Sequence, residues 1–189
     1  MFIDSHSHLD MKPFDKDRQQ VLERALEDGI DYLITIGIDI PSSLKALRLA
    51  HQYDFVFSTI GFHPHHASDM DSQALVELNR LVSEPKIVAW GEIGLDFFHH
   101  HSPSETQKRV FRQQLEMAMD VDLPVIIHDR DAHEEMLELL EKTGSIVRNC
   151  LLEFASFPCS PALIAVVGER VIVIVYTQIP YYLFFALIV

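Results

Sequence analysis

The pattern of apolar and polar positions divides the 189-residue chain into two parts near Gly144. Up to that residue, short apolar runs alternate with amphipathic stretches of helical period, which is typical of βαβ units and a parallel sheet. Each predicted strand is followed by a helix pattern; Ser104 and Gln107 form a capping box that predicts the start of the fourth helix. The predicted strands cover residues 2–4, 32–36, 55–60, 87–90 and 124–127.

Five βα units of roughly 29 residues each match the repeat of a (β/α)8 TIM barrel. The sequence therefore predicts an α/β fold of the TIM-barrel type, incomplete, with about five units and an apolar tail. An open, doubly wound sheet fits the same alternation. The first turn lacks a glycine-rich phosphate loop, which argues against a dinucleotide-binding version of that sheet.

Residues 145–189 lose the alternation and contain only four charged side chains. The predicted organisation is thus an ordered part of βα units over 1–144 and an apolar tail over 145–189. Three interpretations of the tail stay open. It is an out-of-frame peptide, a set of buried strands such as 162–167 and 171–176, or a membrane anchor over 171–189, a length that suits a bilayer span.

The formal net charge of −13 argues against a passive DNA-binding module, because such modules present basic patches to the phosphates. A nuclease stays compatible with this charge, since bound divalent cations supply positive charge locally. The amino terminus lacks the basic start and apolar run of a signal peptide, so a cytoplasmic location is expected, with membrane association through 171–189 as the alternative.

Histidines and carboxylates that could bind metal follow three of the predicted strands. His6 and His8 come directly after the first strand, and alternate residues of an extended segment point to the same side, so both imidazoles can reach one ion. Glu92 follows the fourth strand and His128 ends the fifth. Taken singly, each is equally a solvated or hydrogen-bonded polar group. Together they fall at the same end of a parallel sheet, where barrel enzymes have their active sites.

Four segments resemble the TatD family of metal-dependent deoxyribonucleases. They are Phe-Ile-Asp-Ser-His-Ser-His-Leu-Asp at 2–10, Gly-Phe-His-Pro-His at 61–65, Gly-Glu-Ile-Gly-Leu-Asp at 91–96 and Pro-Val-Ile-Ile-His-Asp-Arg-Asp-Ala at 124–132. The resemblance implies a TIM barrel of the metal-dependent hydrolase type and hydrolysis of ester bonds, typically the phosphodiesters of DNA. It also implies two divalent cations, with Zn, Mn and Mg all compatible.

By this resemblance, His6 and His8 bind one metal, His128 binds the second, and Glu92 bridges the two as the catalytic carboxylate. Asp129 is not a ligand in the family pattern. His63 and His65 are expected to line the substrate groove or to shape a turn around Pro64. Arg130 is expected to contact phosphate or to form a salt bridge with Asp131 or Glu134, whereas 99–101 are expected to form a surface loop without a role in metal binding.

The tail departs from the family pattern, which needs a histidine after strand six and an aspartate after strand eight. Residues 145–189 contain neither residue type. Two functional readings follow: a TatD-like deoxyribonuclease or phosphodiesterase by descent, and a truncated or frameshifted, inactive member. DNA or another phosphodiester is the expected substrate, and self-association is expected through open sheet edges.

Overall fold

The computed structural model describes residues 2–142. Of residues 150–154, 164–167 and 170–176 it describes the backbone. The strands are β1 (Ile3–Ser7), β2 (Tyr32–Thr35), β3 (Val56–Ile60), β4 (Ile87–Asp96), β5 (Val125–Arg130), β6 (Cys150–Phe154), β7 (Ile164–Val167) and β8 (Arg170–Tyr176). The helices are α1 (Arg18–Glu27), α2 (Ile40–Gln52), α3 (Ser72–Leu81), α4 (Ser104–Asp120) and α5 (His133–Lys142), with short 3-10 helices at Lys12–Phe14 and Pro64–Asp69.

The sheet has the strand order β1-β2-β3-β4-β5-β6-β8-β7, and every pair is parallel except the β7–β8 hairpin pair. All five predicted strands are present, and consecutive strands are neighbours. The parallel α/β prediction is therefore confirmed. The doubly wound alternative is wrong, because that fold reverses its strand order at a switch point, whereas β1 to β6 run in one direction as in a barrel.

Strand β4 is six residues longer than the sequence predicts, and it now contains Glu92 and Asp96. Gly91 and Gly94 explain the difference, since both lie against β5. A Cβ at Gly94 would stand 2.0 Å from the carbonyl oxygen of His128, and Gly94 has a φ of +148°. Only glycine permits this approach, so β4 pairs with β5 up to the last residue of each strand.

The main core lies between helices α3 and α4 and the inner strands β3 to β5. Its largest fully buried side chains include Trp90, Phe111, Leu115 and Ile127. The predicted capping box at the start of α4 is wrong. Pro103 is the N-cap residue, and the Gln107 side chain is fully buried and hydrogen-bonded to strand β4 instead.

Parts of the tail continue the sheet. Strand β6 pairs in parallel with β5. Strand β7 falls within the apolar run predicted at 162–167, and β8 covers the run predicted at 171–176 and begins one residue before it. The other tail residues lie outside the described part of the chain, so the boundary at 144 and the out-of-frame interpretation stay predictions. Within the described residues, no helix is long and apolar enough to cross a membrane.

Candidate metal centre

Strand β1 brings the two histidines of its His-Ser-His segment to one point. His6 Nε2 and His8 Nε2 lie 3.2 Å apart. Both nitrogens also face one carboxylate oxygen, Glu92 Oε2, at 3.7 and 4.0 Å. The sequence prediction that both imidazoles face the same side of the strand thus agrees with the structure.

The other oxygen of Glu92 faces a second pair of imidazoles. Glu92 Oε1 lies 2.8 Å from His128 Nδ1 and 3.8 Å from His63 Nε2. His63 Nδ1 accepts a hydrogen bond from the peptide N–H of His65, which turns Nε2 toward Glu92. The Glu92 side chain is only 5% exposed and separates two histidine pairs, one on each oxygen.

The residues present fit two divalent cations. Two nitrogens bound to one tetrahedral ion at about 2.0–2.1 Å are about 3.3 Å apart, close to the His6–His8 separation. The ligand atoms of His6, His8 and Glu92 lie within 4.8 Å of one another, and so do those of His63, Glu92 and His128. A carboxylate that offers one oxygen to each set is the arrangement of a bridging ligand.

Burial keeps two of these imidazoles neutral, which is the form that binds metal. It lowers the pKa of His6 to about 4 and that of His63 to about 3, although the charge of Glu92 opposes both shifts. For His128, burial also lowers the pKa, but hydrogen bonds to Asp96 and Glu92 outweigh it and raise the pKa to about 10. Without metal, protonated His128 therefore supplies a positive charge between the two carboxylates.

Asp96 is a functional candidate that sequence reasoning missed. Its side chain is fully buried, and its Oδ2 lies 2.7 Å from His65 Nε2, 2.9 Å from His99 Nδ1 and 3.2 Å from His128 Nε2. Hydrogen bonds from these histidines outweigh burial and lower the Asp96 pKa. Asp96 is the last residue of the Gly-Glu-Ile-Gly-Leu-Asp segment that resembles the family, and this segment could have indicated a functional role for it. His99 lies in an exposed loop, as expected, and its Nδ1 reaches Asp96, a contact that was not expected.

Two buried glutamines of helix α4 hold the segments that carry these side chains. Gln114 accepts from the peptide N–H of Phe62 at 2.7 Å and donates to its carbonyl at 3.0 Å, immediately before His63. Gln107 accepts from the peptide N–H of Asp96 at 2.8 Å and donates to its carbonyl at 2.9 Å. The site therefore rests on rigid elements rather than on loop conformation alone.

Arg130 ends strand β5, two residues beyond His128. Its guanidinium lies 4.2 Å from the centre of the Phe98 ring, and its Nε is buried without a hydrogen-bond partner in the described structure. No ion pair joins it to Asp131 or Glu134 among those residues, so the structure does not support the salt-bridge alternative. Asp129, the residue between, is hydrogen-bonded to His133 and stays outside the metal groups.

Comparison with known proteins decides the family. The profile of the family described as TatD related DNase matches residues 3–154. The chain belongs to this family. The match reaches the end of β6, ten residues beyond the part that resembled the family by its motifs.

Relatives with assigned names point the same way. The chain is 39% identical over 145 residues to the uncharacterized metal-dependent hydrolase YabD of Bacillus subtilis, covering 77% of this chain and 57% of that protein. It is 40% identical over 134 residues to the 3′-5′ ssDNA/RNA exonuclease TatD of Escherichia coli K12, covering 71% and 52%. The chain thus spans about half the length of the curated relatives it matches.

Solved structures agree on the fold. The TatD homologue YjjV of Escherichia coli K12 superposes with a TM-score of 0.75 at 31% identity, over 84% of this chain and 61% of that one. A TatD-family hydrolase of Entamoeba histolytica gives 0.75 at 25% identity, over 80% and 57%. The predicted TIM-barrel type is confirmed, and residues 2–142 contain the five βα units that the sequence predicts.

Proposed function

We propose that this chain is a metal-dependent phosphodiester hydrolase with a two-cation centre bridged by Glu92. The observation that carries the proposal is the position of Glu92, whose two oxygens face separate histidine pairs. Such a pair of cations, when bound about 3.5–4 Å apart, activates water and stabilises the leaving oxygen.

The chain's own residues have distinct roles in this proposal. His6 and His8 hold one ion, and His128 and His63 hold the second. We propose His63 as a metal ligand, rather than as a residue of the substrate groove, because its Nε2 faces Glu92. Glu92 fixes the spacing of the pair. His128 must release a proton to bind metal, and Asp96 accepts from its other nitrogen and orients the ring.

We propose single-stranded nucleic acid as the substrate, since several relatives are named 3′-5′ ssDNA/RNA exonucleases. Arg130 is the phosphate contact in this proposal. Its guanidinium lies 4.2 Å from the centre of the Phe98 ring while its Nε has no partner within the described residues, so a phosphate oxygen could accept from it. His65 lines the same rim. The acidic chain relies on bound cations to attract the polyanion.

The supply of ligands limits the expected rate. Residues 145–189 contribute neither histidine nor aspartate, so each ion keeps extra water and is held loosely. We therefore expect hydrolysis barely above background from the 189-residue chain. The competing reading, an inactive family member, predicts none. Attaching a family-like continuation after Gly144 should raise the rate if the centre in 1–144 is competent.

The test is metal-dependent release of nucleotides from a 5′-labelled single-stranded oligonucleotide with a free 3′ end. We expect slow, Mn²⁺-dependent shortening that a chelator abolishes and that Glu92→Gln removes. Glu77→Gln, on the outer side of α3, is the matched control and should leave the rate unchanged. Shortening that survives both the chelator and Glu92→Gln would refute the proposal.

Three further expectations belong with this proposal. The cytoplasm is the proposed location, as for an enzyme of nucleic-acid turnover. The hydrolase part is proposed to end near 144, with 145–189 as a separate apolar tail. Among the described strands β1 pairs only with β2, and a strand at the edge of a sheet can pair with a second chain. We therefore propose self-association through open sheet edges.

A further inference from the structure

A third cluster of metal-ligand atoms lies beside the two histidine pairs of Glu92. It consists of His65 Nε2, Asp96 Oδ2 and His99 Nδ1, all within 4.8 Å of one another. Asp96 Oδ2 is 2.7 Å from the first nitrogen and 2.9 Å from the second. Glu92 is not a member, so the cluster is a different ligand set, and it adjoins the proposed hydrolase centre because Asp96 also accepts from His128.

Asp96 is offered more donors than its carboxylate can accept well. Oδ1 accepts from the peptide N–H groups of Phe98 at 3.0 Å and His99 at 2.8 Å. Oδ2 faces three imidazole nitrogens, those of His65, His99 and His128. Five donors compete for about four lone-pair positions. At least one imidazole therefore gains little from its hydrogen bond and is free to present a lone pair to an ion.

Buried hydrogen bonds hold the three ligand residues in place. The hydroxyl of Ser102 donates to the carbonyl of His65 at 3.1 Å and accepts from the peptide N–H of Ser68 at 3.1 Å. Gln107 donates to the carbonyls of Ser102 at 2.8 Å and Asp96 at 2.9 Å. These contacts tie the loop of His99 to the 3-10 helix of His65, and such prior ordering reduces the entropy lost on binding.

We propose that His65, Asp96 and His99 form a third divalent-cation site at the edge of the candidate two-metal centre. Asp96 Oδ2 now lies at hydrogen-bond distance from the two imidazole nitrogens. Two ligand atoms of one tetrahedral zinc ion are about 3.3 Å apart, so each nitrogen would have to move away from Asp96 by a few tenths of an ångström. The side chains of His65 and His99 are 27% and 35% exposed, which leaves them room to move outward. To bind the ion, each imidazole takes the tautomer whose proton lies on its other ring nitrogen, so that the nitrogen facing Asp96 offers its lone pair. The ion then compensates the charge of Asp96.

The ligand chemistry selects the cation. Two imidazoles and one carboxylate suit Zn²⁺ and its neighbours in the first transition row, whereas Mg²⁺ prefers oxygen ligands and water. His101 is a further donor from the same loop, with its ring 4.5 Å from that of His65 and stacked 5.7 Å from that of His99. A bound ion would thus hold the histidine-rich loop against the rim of the sheet.

The first test uses the whole chain with the Glu92 centre disabled by His8→Ala and Glu92→Gln. Zinc is titrated by calorimetry in the presence of about a hundredfold excess of Mg²⁺ over Zn²⁺. We expect one zinc still to bind, and His99→Ala in this background to raise its Kd by about tenfold or more. His100→Asn is the matched control from the same loop. Asparagine tolerates the positive φ of position 100, so this variant should fold normally and leave the Kd unchanged.

A second variant keeps the proposal testable if the disabled background does not fold. His99→Ala in the otherwise unchanged chain should lower the number of zinc ions bound by one, while His100→Asn retains the full number. Zinc binding that His99→Ala leaves unaltered, or no zinc at all in a folded disabled background, would overturn the third site. Neither result bears on Glu92, whose own test is the oligonucleotide assay.

Discussion

Gln114→Leu should destabilise the protein strongly, because the buried amide of Gln114 hydrogen-bonds to three polar groups in the segments that support the site. Its side chain accepts from the peptide N–H of Phe62 and from Trp90 Nε1, and it donates to the carbonyl of Phe62. Leucine has a similar volume but no polar atoms. The substitution therefore leaves these three groups buried without their partner.

The magnitude follows from the three contacts. The bonds of 2.7 and 3.0 Å to Phe62 cost about 1.5 kcal/mol each when left unmade, and the longer 3.3 Å bond to Trp90 costs about 1 kcal/mol. The apolar side chain returns about 1 kcal/mol through added burial. The expected loss is about 3 kcal/mol, a large share of the stability of a typical domain, which is about 5–15 kcal/mol.

Urea unfolding monitored by circular dichroism measures this loss. Gln113→Leu, the same substitution one position earlier on α4, is the matched control and should change the free energy of unfolding by about 0.5 kcal/mol or less. Because Phe62 precedes His63, Gln114→Leu should also weaken zinc binding in a chain that is still folded. Equal unfolding free energies for the two variants would refute the supporting role of Gln114.

Three other predictions follow from the same geometry. His6→Ala with His8→Ala should weaken zinc or manganese binding in a titration of the purified chain, and unchanged binding would count against the first metal position. In chelator, burial holds the pKa of His6 near 4 in the folded protein against 6.5 in the unfolded chain. The unfolded chain therefore takes up the proton first, and stability falls by up to about 1.4 kcal/mol per pH unit between pH 6.5 and 4. His6→Gln should flatten that slope in urea unfolding at several pH values, and parallel curves would exclude the effect. Light scattering after size exclusion should show oligomers rather than a sharp peak at the 21.7 kDa monomer mass.

The sequence was sufficient to predict the elements that have a strong period and a clear stop. All five βα units and their parallel order are present, because alternating apolar runs and amphipathic helices leave few other ways to bury the chain. The end of β4 could not be predicted in this way. Its extension depends on Gly91 and Gly94 lying against β5, a tertiary contact that no local pattern encodes.

The candidate site was predictable where a motif carried it. His6, His8, Glu92 and His128 were singled out from the sequence, and the structure brings their ligand atoms together. Contacts between distant segments were not predictable. The exposed loop at 99–101 is present as expected, whereas no local pattern predicts the contact between His65 and the buried Asp96, which lies 31 positions later.

Gln107 and His133 show the same limit on a smaller scale. Gln107 follows Ser104 at capping-box spacing, yet tertiary hydrogen bonds to Asp96 take its side chain into the core. His133 is the first residue of helix α5, a position where local pattern alone would leave the side chain in solvent. It is more than half exposed, but its Nδ1 lies 3.0 Å from the buried Asp129. Propensity and spacing describe the local options, and the packing partner decides between them.

The most direct test of the bridging role of Glu92 is electron paramagnetic resonance of the chain loaded with Mn²⁺. A carboxylate bridge between ions about 3.5–4 Å apart couples their spins. The account predicts a coupled di-manganese spectrum that Glu92→Ala converts into the spectrum of isolated ions, while Glu77→Ala leaves it unchanged. A single uncoupled Mn²⁺ per chain, or a coupled spectrum that survives Glu92→Ala, would contradict the two-cation centre.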